Sequence, residues 1–476
     1  MPEQQTGVVV IGAGWAGLAA AKELCDQNVD CCILEGRNRI GGRCWTDTGA
    51  DGVTPLEWGA AWIHGIKKNP IYDIAKASGV KTKEADYEAR TLWKDQPDGS
   101  CSQMSLKEAD KMWGYLMNGK SGFKKYVEHK QDDVDNDWTL QKTVDAFLNK
   151  INATDEQRRF MRYICDAEFE QDMAASLDEI SMFWFDSDGE FKGGDVTLAN
   201  ATDSGYSAVL KHYAKDILHC VHCQSKVTAI DYEHDDGVVV TYTTADGASH
   251  KIVASAVIVT VPLGVLKANV ITFNPPLPSN KQLVIDRMGM GVLNKCMLLF
   301  DDDAELPWPA DKEWIERIVT GEDPEKPQGL WTEIVCLRPE GGKRILCANT
   351  VGHIARKLEA KSNQEIQDSV MSELKTIFAP QDVPEPCQCV ITKWGQDEFA
   401  YGSFSFNAIG AKHLYHRILN DPVDNKVFFA GEACSEKYFA TTHGAYLTGI
   451  DAAKNAAKHC GSDKKGPAKL LQKIFG

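Results

Sequence analysis

The chain is 476 residues long, 43% apolar and 25% charged, which excludes a disordered or collagen-like polymer and is ordinary for a globular protein. It contains no run of about 18 apolar residues, the length that spans a bilayer, so no membrane-spanning helix is expected. Acidic residues number 68 against 52 Lys and Arg, a formal charge of −16, which repels nucleic-acid phosphates and favours cationic partners.

At about 150 residues per domain the length allows two or three units. No basic stretch followed by an apolar one opens the chain, so no secretory signal is expected. The C-terminal Leu470-Leu471-Gln472-Lys473-Ile474-Phe475-Gly476 is neither a peroxisomal address nor a lipidation signal. The 15 cysteines are an odd number, and Cys31 and Cys32 are adjacent. Without an export signal they are expected as reduced thiols, in a cytoplasmic protein.

In chain order, Val8-Val9-Val10-Ile11 is a continuous apolar run, the mark of a strand buried on both faces. Gly12-Ala13-Gly14-Trp15-Ala16-Gly17 follows, then Leu18-Ala19-Ala20-Ala21-Lys22-Glu23-Leu24 reads as a helix and Asp30-Cys31-Cys32-Ile33-Leu34-Glu35 as a second strand. This is a βαβ unit opening a doubly wound sheet. Residues 103–180 read as mostly helical, with a polar break at Asp132-Asp133-Val134-Asp135-Asn136-Asp137. Residues 237–243 and 252–261 read as strands joined around Ala245-Asp246-Gly247, a hairpin. Asn274-Pro275-Pro276-Leu277-Pro278 breaks the chain, and 301–328 reads largely as loop. Val427-Phe428-Phe429-Ala430-Gly431-Glu432 is a strand closing on a Gly-acid turn, and 443–459 a helix. No internal repeat is evident. Strand–helix units at both ends around a helical middle predict a discontinuous nucleotide domain with an inserted second domain.

Gly12-x-Gly14-x-x-Gly17 carries the strongest local chemistry. Gly12 permits the tight turn, Gly14 lets a pyrophosphate reach the main chain, and Gly17 permits close helix–strand packing. The helix start, with Ala16 in its first turn, offers N–H groups and partial positive charge to the phosphates. Glu35, at the end of the second strand, suits two ribose hydroxyls and would repel a 2′-phosphate. His219-Cys220-Val221-His222-Cys223 and Cys387-Gln388-Cys389 look ligand-like, but neighbouring side chains on one strand cannot all converge, and no metal is expected.

Glu35-Gly36-Arg37-Asn38-Arg39-Ile40-Gly41-Gly42-Arg43, Trp58-Gly59-Ala60-Ala61-Trp62-Ile63-His64-Gly65, Val261-Pro262-Leu263-Gly264-Val265-Leu266, Trp394 with Gly402-Ser403-Phe404-Ser405, and Ala430-Gly431-Glu432 through Thr442-His443-Gly444-Ala445 together resemble the flavin-dependent amine oxidase family. Asp166-Ala167-Glu168-Phe169 and the Trp62–Gly65 block narrow the resemblance to polyamine oxidases. The resemblance implies an α/β fold of the p-hydroxybenzoate hydroxylase type: a Rossmann-like FAD-binding domain over residues 1–85, 205–270 and 395–476, and an inserted α+β substrate domain over 86–204 and 271–394. It implies FAD, with Glu35 at the adenosine ribose, Arg43 at the phosphates, Val227 meeting adenine through its backbone, and Ala60, Ala61, Trp62 and Trp394 around the flavin. Glu432 is implied at the ribityl or pyrophosphate part, and Thr442, starting the last helix, at the flavin O2. Ser403 stands where covalent family members place Cys, so non-covalent FAD is expected.

Lys295 alternates with Met297 and Leu299 on a strand whose two faces are both apolar. On the pattern alone it reads as a sheet-edge lysine reaching solvent; the resemblance makes it the lysine that holds a water at flavin N5. His64 alone reads as a structural histidine; the resemblance places it at the substrate entrance, binding or deprotonating the amine. Glu168 and Glu170 would share a face on a strand but not on a helix, and a solvated acidic face is the plain alternative. The resemblance puts Glu168 in the substrate tunnel and Phe404 beside substrate, with Thr441 where some plant enzymes carry Tyr.

The implied reaction oxidises a secondary amine of spermine, spermidine or their N-acetyl forms. The products are an imine or aldehyde, a shorter amine and H2O2 from O2. The partners are a small polycation and O2, with no nucleic acid and no membrane. Rival readings are a monoamine, L-amino acid or methyl-lysine oxidase, or a non-catalytic binding protein like the GDP-dissociation inhibitors. No Arg can be placed for an amino-acid carboxylate, and no long helical insertion for a demethylase is present.

Overall fold

The computed structural model describes residues 4–462 apart from 97, 120, 132–136, 202, 236 and 320–329. The acidic break at 132–136, the end of the 301–328 segment and the C-terminal 470–476 lie outside the described residues.

The apolar N-terminal run builds the centre of the first sheet. Val8, Val9 and Val10 are wholly buried, because strand Gln4–Ile11 pairs in parallel with Cys31–Leu34 on one side and Ser249–Val259 on the other. Ser249–Val259 is long enough to serve two further partners along its other edge. Its first half closes the expected hairpin with Val238–Thr243, and its second half pairs with Val427–Phe429 near the chain end. Eight strands make this sheet, ordered Val221–His222, Cys31–Leu34, Gln4–Ile11, Ser249–Val259, Val238–Thr243, Lys226–Asp231, Thr272–Asn274, with Val427–Phe429 on Ser249–Val259. Thr272–Asn274 runs parallel to Lys226–Asp231, so the nucleotide sheet continues beyond the boundary expected at residue 270.

Helix Trp15–Asp26 packs against the last helix, Thr442–Ser462. A β-carbon on Gly449 would fall 2.2 Å from the Ala16 carbonyl oxygen, so the two helices touch backbone to backbone there. This contact joins the first described helix to the helix Thr442–Ser462 that follows strand Val427–Phe429 of the same sheet.

A second, seven-stranded sheet runs Gln388–Ile391, Leu293–Phe300, Arg344–Val351, Glu333–Leu337, Trp314–Ile318, Arg90–Asp95, Cys101–Met104. Trp314–Ile318 falls inside the segment expected to be mostly loop. Its central Glu316 and Arg317 hide the strand pattern, yet both are buried. Arg317 pairs with Asp95 at 2.6 Å and with Glu373, while Glu316 accepts from the Tyr163 hydroxyl at 2.8 Å. Buried charges survive when paired, so polarity there does not mean exposure.

The helical character expected over 103–180 is present in Leu106–Trp113, Phe123–Gln131, Leu140–Lys150 and Asp155–Ile164, packed around Phe123, Phe147 and Phe160. Asp155–Ile164 then widens into a π-helical turn, Cys165–Glu170. That turn separates the two acids. Glu170 turns inward to Arg162 at 2.9 Å, while Glu168 faces a large cavity between the two sheets.

Candidate active site

The cavity has a volume of about 700 Å³. Its floor is the glycine turn. Gly12 adopts φ +99°, and a β-carbon on Gly17 would lie 1.9 Å from the Gly12 carbonyl oxygen, so the helix rests directly on the turn. A β-carbon on Gly14 would meet nothing closer than 3.9 Å, leaving that stretch of backbone open to the cavity. The helix starts at Gly14 with no side-chain cap and no acidic residue in its first turn. Its N–H groups and positive dipole end are left for an anion.

Glu35 is 5% exposed and held by two backbone donors, Ala13 N–H at 2.7 Å and Arg37 N–H at 2.8 Å. Burial raises its carboxyl above the ordinary range, against the lowering effect of those two bonds. Arg43 donates to Glu432 at 2.8 Å and to the Ser403 carbonyl at 2.7 Å. Glu432 also accepts from the Ser405 hydroxyl at 2.5 Å and Ala440 N–H at 2.9 Å. Burial works against its charge, but Arg43 and these donors outweigh burial and hold it below the usual carboxylate range. Arg43 and Glu432 therefore act as one ion pair tying together segments 389 residues apart.

Lys295 sits on an interior strand, not a sheet edge, between Arg344–Val351 and Gln388–Ile391. Its ammonium donates to the carbonyls of Glu57 at 2.9 Å and Gly59 at 2.6 Å, beside Ala60, Ala61 and Trp62. Burial lowers its affinity for a proton, with nearby Cys347 and Glu57 pulling the other way. Glu57, which no sequence motif marks, accepts from Tyr206 N–H and the Thr46 hydroxyl, both at 2.8 Å, and burial pushes it up to about 7. Thr441 caps the last helix by accepting from Gly444 N–H at 2.9 Å, which leaves Thr442 as its first residue.

The cavity brings together Gly12, Gly14, Ala16, Glu35, Arg43, Ala60, Ala61, Trp62, Val227, Lys295, Trp394, Phe404, Glu432, Thr441, Thr442, His64 and Glu168 on its surface; Gly17 lies behind the turn. Residues as far apart as Ile11 and Ala445 line it. Trp58 Nε1, at its wall, is buried without a partner, a donor that a bound polar group would satisfy. The open main chain at Gly14, the uncapped helix, the ribose-suited Glu35 and this donor fit an adenine dinucleotide.

Beyond Lys295 the wall is aromatic. Trp62 stacks on Trp314 and Trp314 on Tyr87, with centroids 6.2 and 5.4 Å apart. Farther out His64 Nδ1 lies 3.0 Å from Asp195, which also accepts from Gly65 N–H and the Tyr87 hydroxyl at 2.8 Å. Partial burial works against the Asp195 charge, but His64 and the other donors bring it down to about 2. Conversely, burial opposes His64 protonation, and Asp195 outweighs it, raising the imidazole above its usual value. Asp195→Asn should therefore lower the imidazole pKa. The acidic limb of kcat/KM should move to lower pH if His64 must be neutral to take a proton; a limb that stays put excludes that role.

Asp172, Asp188, Glu316 and Glu333 carry no sequence signal, yet they join Glu168 on the cavity surface. Burial and like-charge crowding raise Asp172 to about 7 and Glu333 well above the carboxylate range. They are dispersed over four segments, so no local motif marks them.

Residues 15–457 match the model of the flavin containing amine oxidoreductases. The chain is 30% identical to polyamine oxidase 4 of Oryza sativa subsp. japonica, over 98% of this chain and 92% of that one. It is 32% identical to a lysine-specific histone demethylase 1 homolog of the same plant, covering 96% of this chain but 54% of the relative. Its fold matches a wild-type putrescine oxidase bound to putrescine with a TM-score of 0.72 at 20% identity, over 95% of this chain and 99% of the other. With the cavity, the uncapped helix and the buried lysine in one place, the match over nearly the whole chain leaves a single assignment: the chain belongs to the flavin-containing amine oxidoreductase family and is an FAD-dependent amine oxidase.

Proposed function

We propose that the substrate is a polyamine, oxidised at a secondary amine. The observation that carries this reading is the cluster of carboxylates outside the aromatic wall. Glu168, Asp172, Glu316 and Glu333 each have a carboxyl raised by burial. Like charges brought together away from water are costly, and a flexible chain of ammonium groups relieves that cost. The chain's formal charge of −16 draws a polycation inward.

FAD, held by Glu35, the glycine turn and the Arg43–Glu432 region, supplies the two-electron oxidation of the amine α-carbon, with O2 as final acceptor. The protein does the rest. The aromatic wall of Trp62 and Trp314, edged by the half-exposed Tyr87, excludes water along the alkyl chain. Asp195 orients His64, which takes a proton from the incoming ammonium, because only a neutral amine has the lone pair that drives oxidation. Lys295 holds a water with the donor left over from its two carbonyl bonds. Spermine, spermidine and their N-acetyl forms are the substrates proposed.

The test is anaerobic flavin bleaching with spermine, spermidine, N-acetylspermine, putrescine, benzylamine and a methyl-lysine peptide. Polyamines should bleach fastest, and their KM should rise steeply with ionic strength as screening removes the attraction. Equal rates with benzylamine, or preference for the peptide, would overturn the reading.

We also propose that FAD is bound without a covalent link. Ser403, at the position that carries Cys in covalent relatives, has its hydroxyl committed to the Leu293 backbone, donating to the carbonyl at 2.9 Å and accepting the N–H at 2.8 Å. Acid precipitation should leave a yellow supernatant; a yellow pellet would show a covalent bond.

A further inference from the structure

None of the fifteen cysteines is joined in a disulfide. Three of them converge from separate segments. Cys25 lies in the last turn of helix Trp15–Asp26, Cys31 opens strand Cys31–Leu34, and Cys220 ends the 3-10 turn Leu218–Cys220. Their sulfurs all lie within 4.8 Å of one another, and those of Cys25 and Cys31 are 3.9 Å apart. We propose that these three sulfurs form a site for a thiophilic d10 cation, Zn2+ or Cu+, separate from the oxidase cavity.

The 3.9 Å separation of the Cys25 and Cys31 sulfurs is that of ligands about a shared ion. With metal–sulfur bonds of about 2.3 Å, sulfurs sit about 3.8 Å apart in a tetrahedral site and about 4.0 Å apart in a trigonal one. A disulfide needs about 2.0 Å, would require a large closure, and would leave the third thiol unused. The backbone also fixes the arrangement. The strand that follows Cys220 pairs in register with the strand begun by Cys31, Val221 opposite Ile33. Helix Trp15–Asp26 lies against that strand through the core shared by Leu24 and Ile33.

The surroundings favour a cation over a reactive thiolate. The negative end of the helix dipole falls at Cys25. Asp30 adds a carboxylate close enough to act on Cys220. Cys31 and Cys220 are buried while Cys25 is half-buried, which gives an entry path. Burial, together with Cys25 and Cys220, holds the Cys31 thiol far above its usual range, so without a metal Cys31 keeps its proton. Binding exchanges thiol protons, up to three per ion, for the cation, and affinity rises with pH. Three thiolates complete a trigonal Cu+ site, whereas Zn2+ would add a water as fourth ligand.

The position is structural. Strand Cys31–Leu34 reaches the cofactor cavity at its far end, at Leu34 and Glu35, and the cluster sits at its near end. An ion there would pin helix, strand and edge strand of the dinucleotide fold together. The ligand-like run His219–Cys223 contributes a single member. His219, His222 and Cys223 are exposed, and among the described residues only Cys220 of that run joins the cluster.

Holoenzyme stripped of metal under a non-thiol reductant tests the site, with Zn2+ added in one arm and Cu+ in the other. Bound metal is counted after gel filtration, and alkylation of individual cysteines is mapped by mass spectrometry. One ion per chain is expected, with Cys25 and Cys220 protected from alkylation. Cys25→Ser and Cys220→Ser should each weaken binding about 100-fold and leave amine turnover unchanged. The arm that retains its ion identifies the cation. Retention in wild type no better than in Cys25→Ser, or a Cys25–Cys31 disulfide recovered from the unreduced protein, overturns the proposal. The alkylation map uses wild-type protein, so it decides the matter even if a variant fails to fold.

Discussion

Lys295→Met should slow one half-reaction by about 100-fold or more, the usual contribution of a positioned proton-handling group, while the flavin spectrum stays that of a loaded enzyme. Lys295 is 6% exposed, on a strand whose neighbours on the same face, Met297 and Leu299, are apolar. An ammonium is costly there, and its retention is explained by what it holds. Two donors go to the Glu57 and Gly59 carbonyls, which fix the backbone just before Ala60-Ala61-Trp62. The third is the one proposed to hold a water. Methionine fills similar volume and keeps neither function. Leaving the two carbonyls without a donor costs about 1–3 kcal/mol each where they are buried, so a fall in melting temperature should accompany the loss of rate. Stopped-flow measurement of anaerobic reduction and of reoxidation by O2 separates the roles. Wild-type rates in both half-reactions would remove Lys295 from the chemistry and leave it a structural clamp.

Glu432→Ala should yield protein largely without FAD. The carboxylate is 5% exposed and gathers Arg43, the Ser405 hydroxyl and Ala440 N–H. Removing one partner of a buried ion pair typically costs about 3–5 kcal/mol, because the other charge stays behind. Here the stranded charge is Arg43, on the loop that follows Gly41 and Gly42 at the cavity floor. The pH dependence has a definite sign. Glu432 is held below the ordinary carboxylate range in the fold, so its stabilisation is complete above the unfolded value of about 4.3 and is lost as pH falls through the folded value. Acid should therefore release flavin from wild type, and the variant should lose that acid transition. The ratio of flavin to protein absorbance after gel filtration measures it. Full occupancy in the variant would show that the pair does not support the cofactor site.

The parts of the site carried by local runs are legible in the amino-acid order. The glycine turn, the apolar strand before it and Glu35 after it are contiguous, and backbone sterics tie each to its job. The acids are less legible. Glu168 and Glu170 are sorted by the π-helical turn, which sends Glu168 to the cavity and Glu170 to Arg162. Asp195 has no motif at all. Its meaning comes from His64 and Tyr87, 131 and 108 residues away. Trp314–Ile318 reads as loop because its charges are satisfied by Asp95, Glu373 and Tyr163, partners no window along the chain contains.

By itself, the order of residues determined that a dinucleotide fold opens the chain, that its cofactor is FAD through a family's worth of short motifs, and that a lysine stands on a greasy strand. The fold and the lysine's setting follow from effects acting over a few residues, glycine's freedom, strand alternation and a helix's uncapped start, whereas the cofactor's identity is what the family resemblance implies. Tertiary structure alone decided which carboxylates share one cavity, that the lysine is interior, and that three thiols from separate segments meet. Charge repulsion, burial and ligand geometry act through space at a few ångströms, and a linear pattern holds no record of those distances.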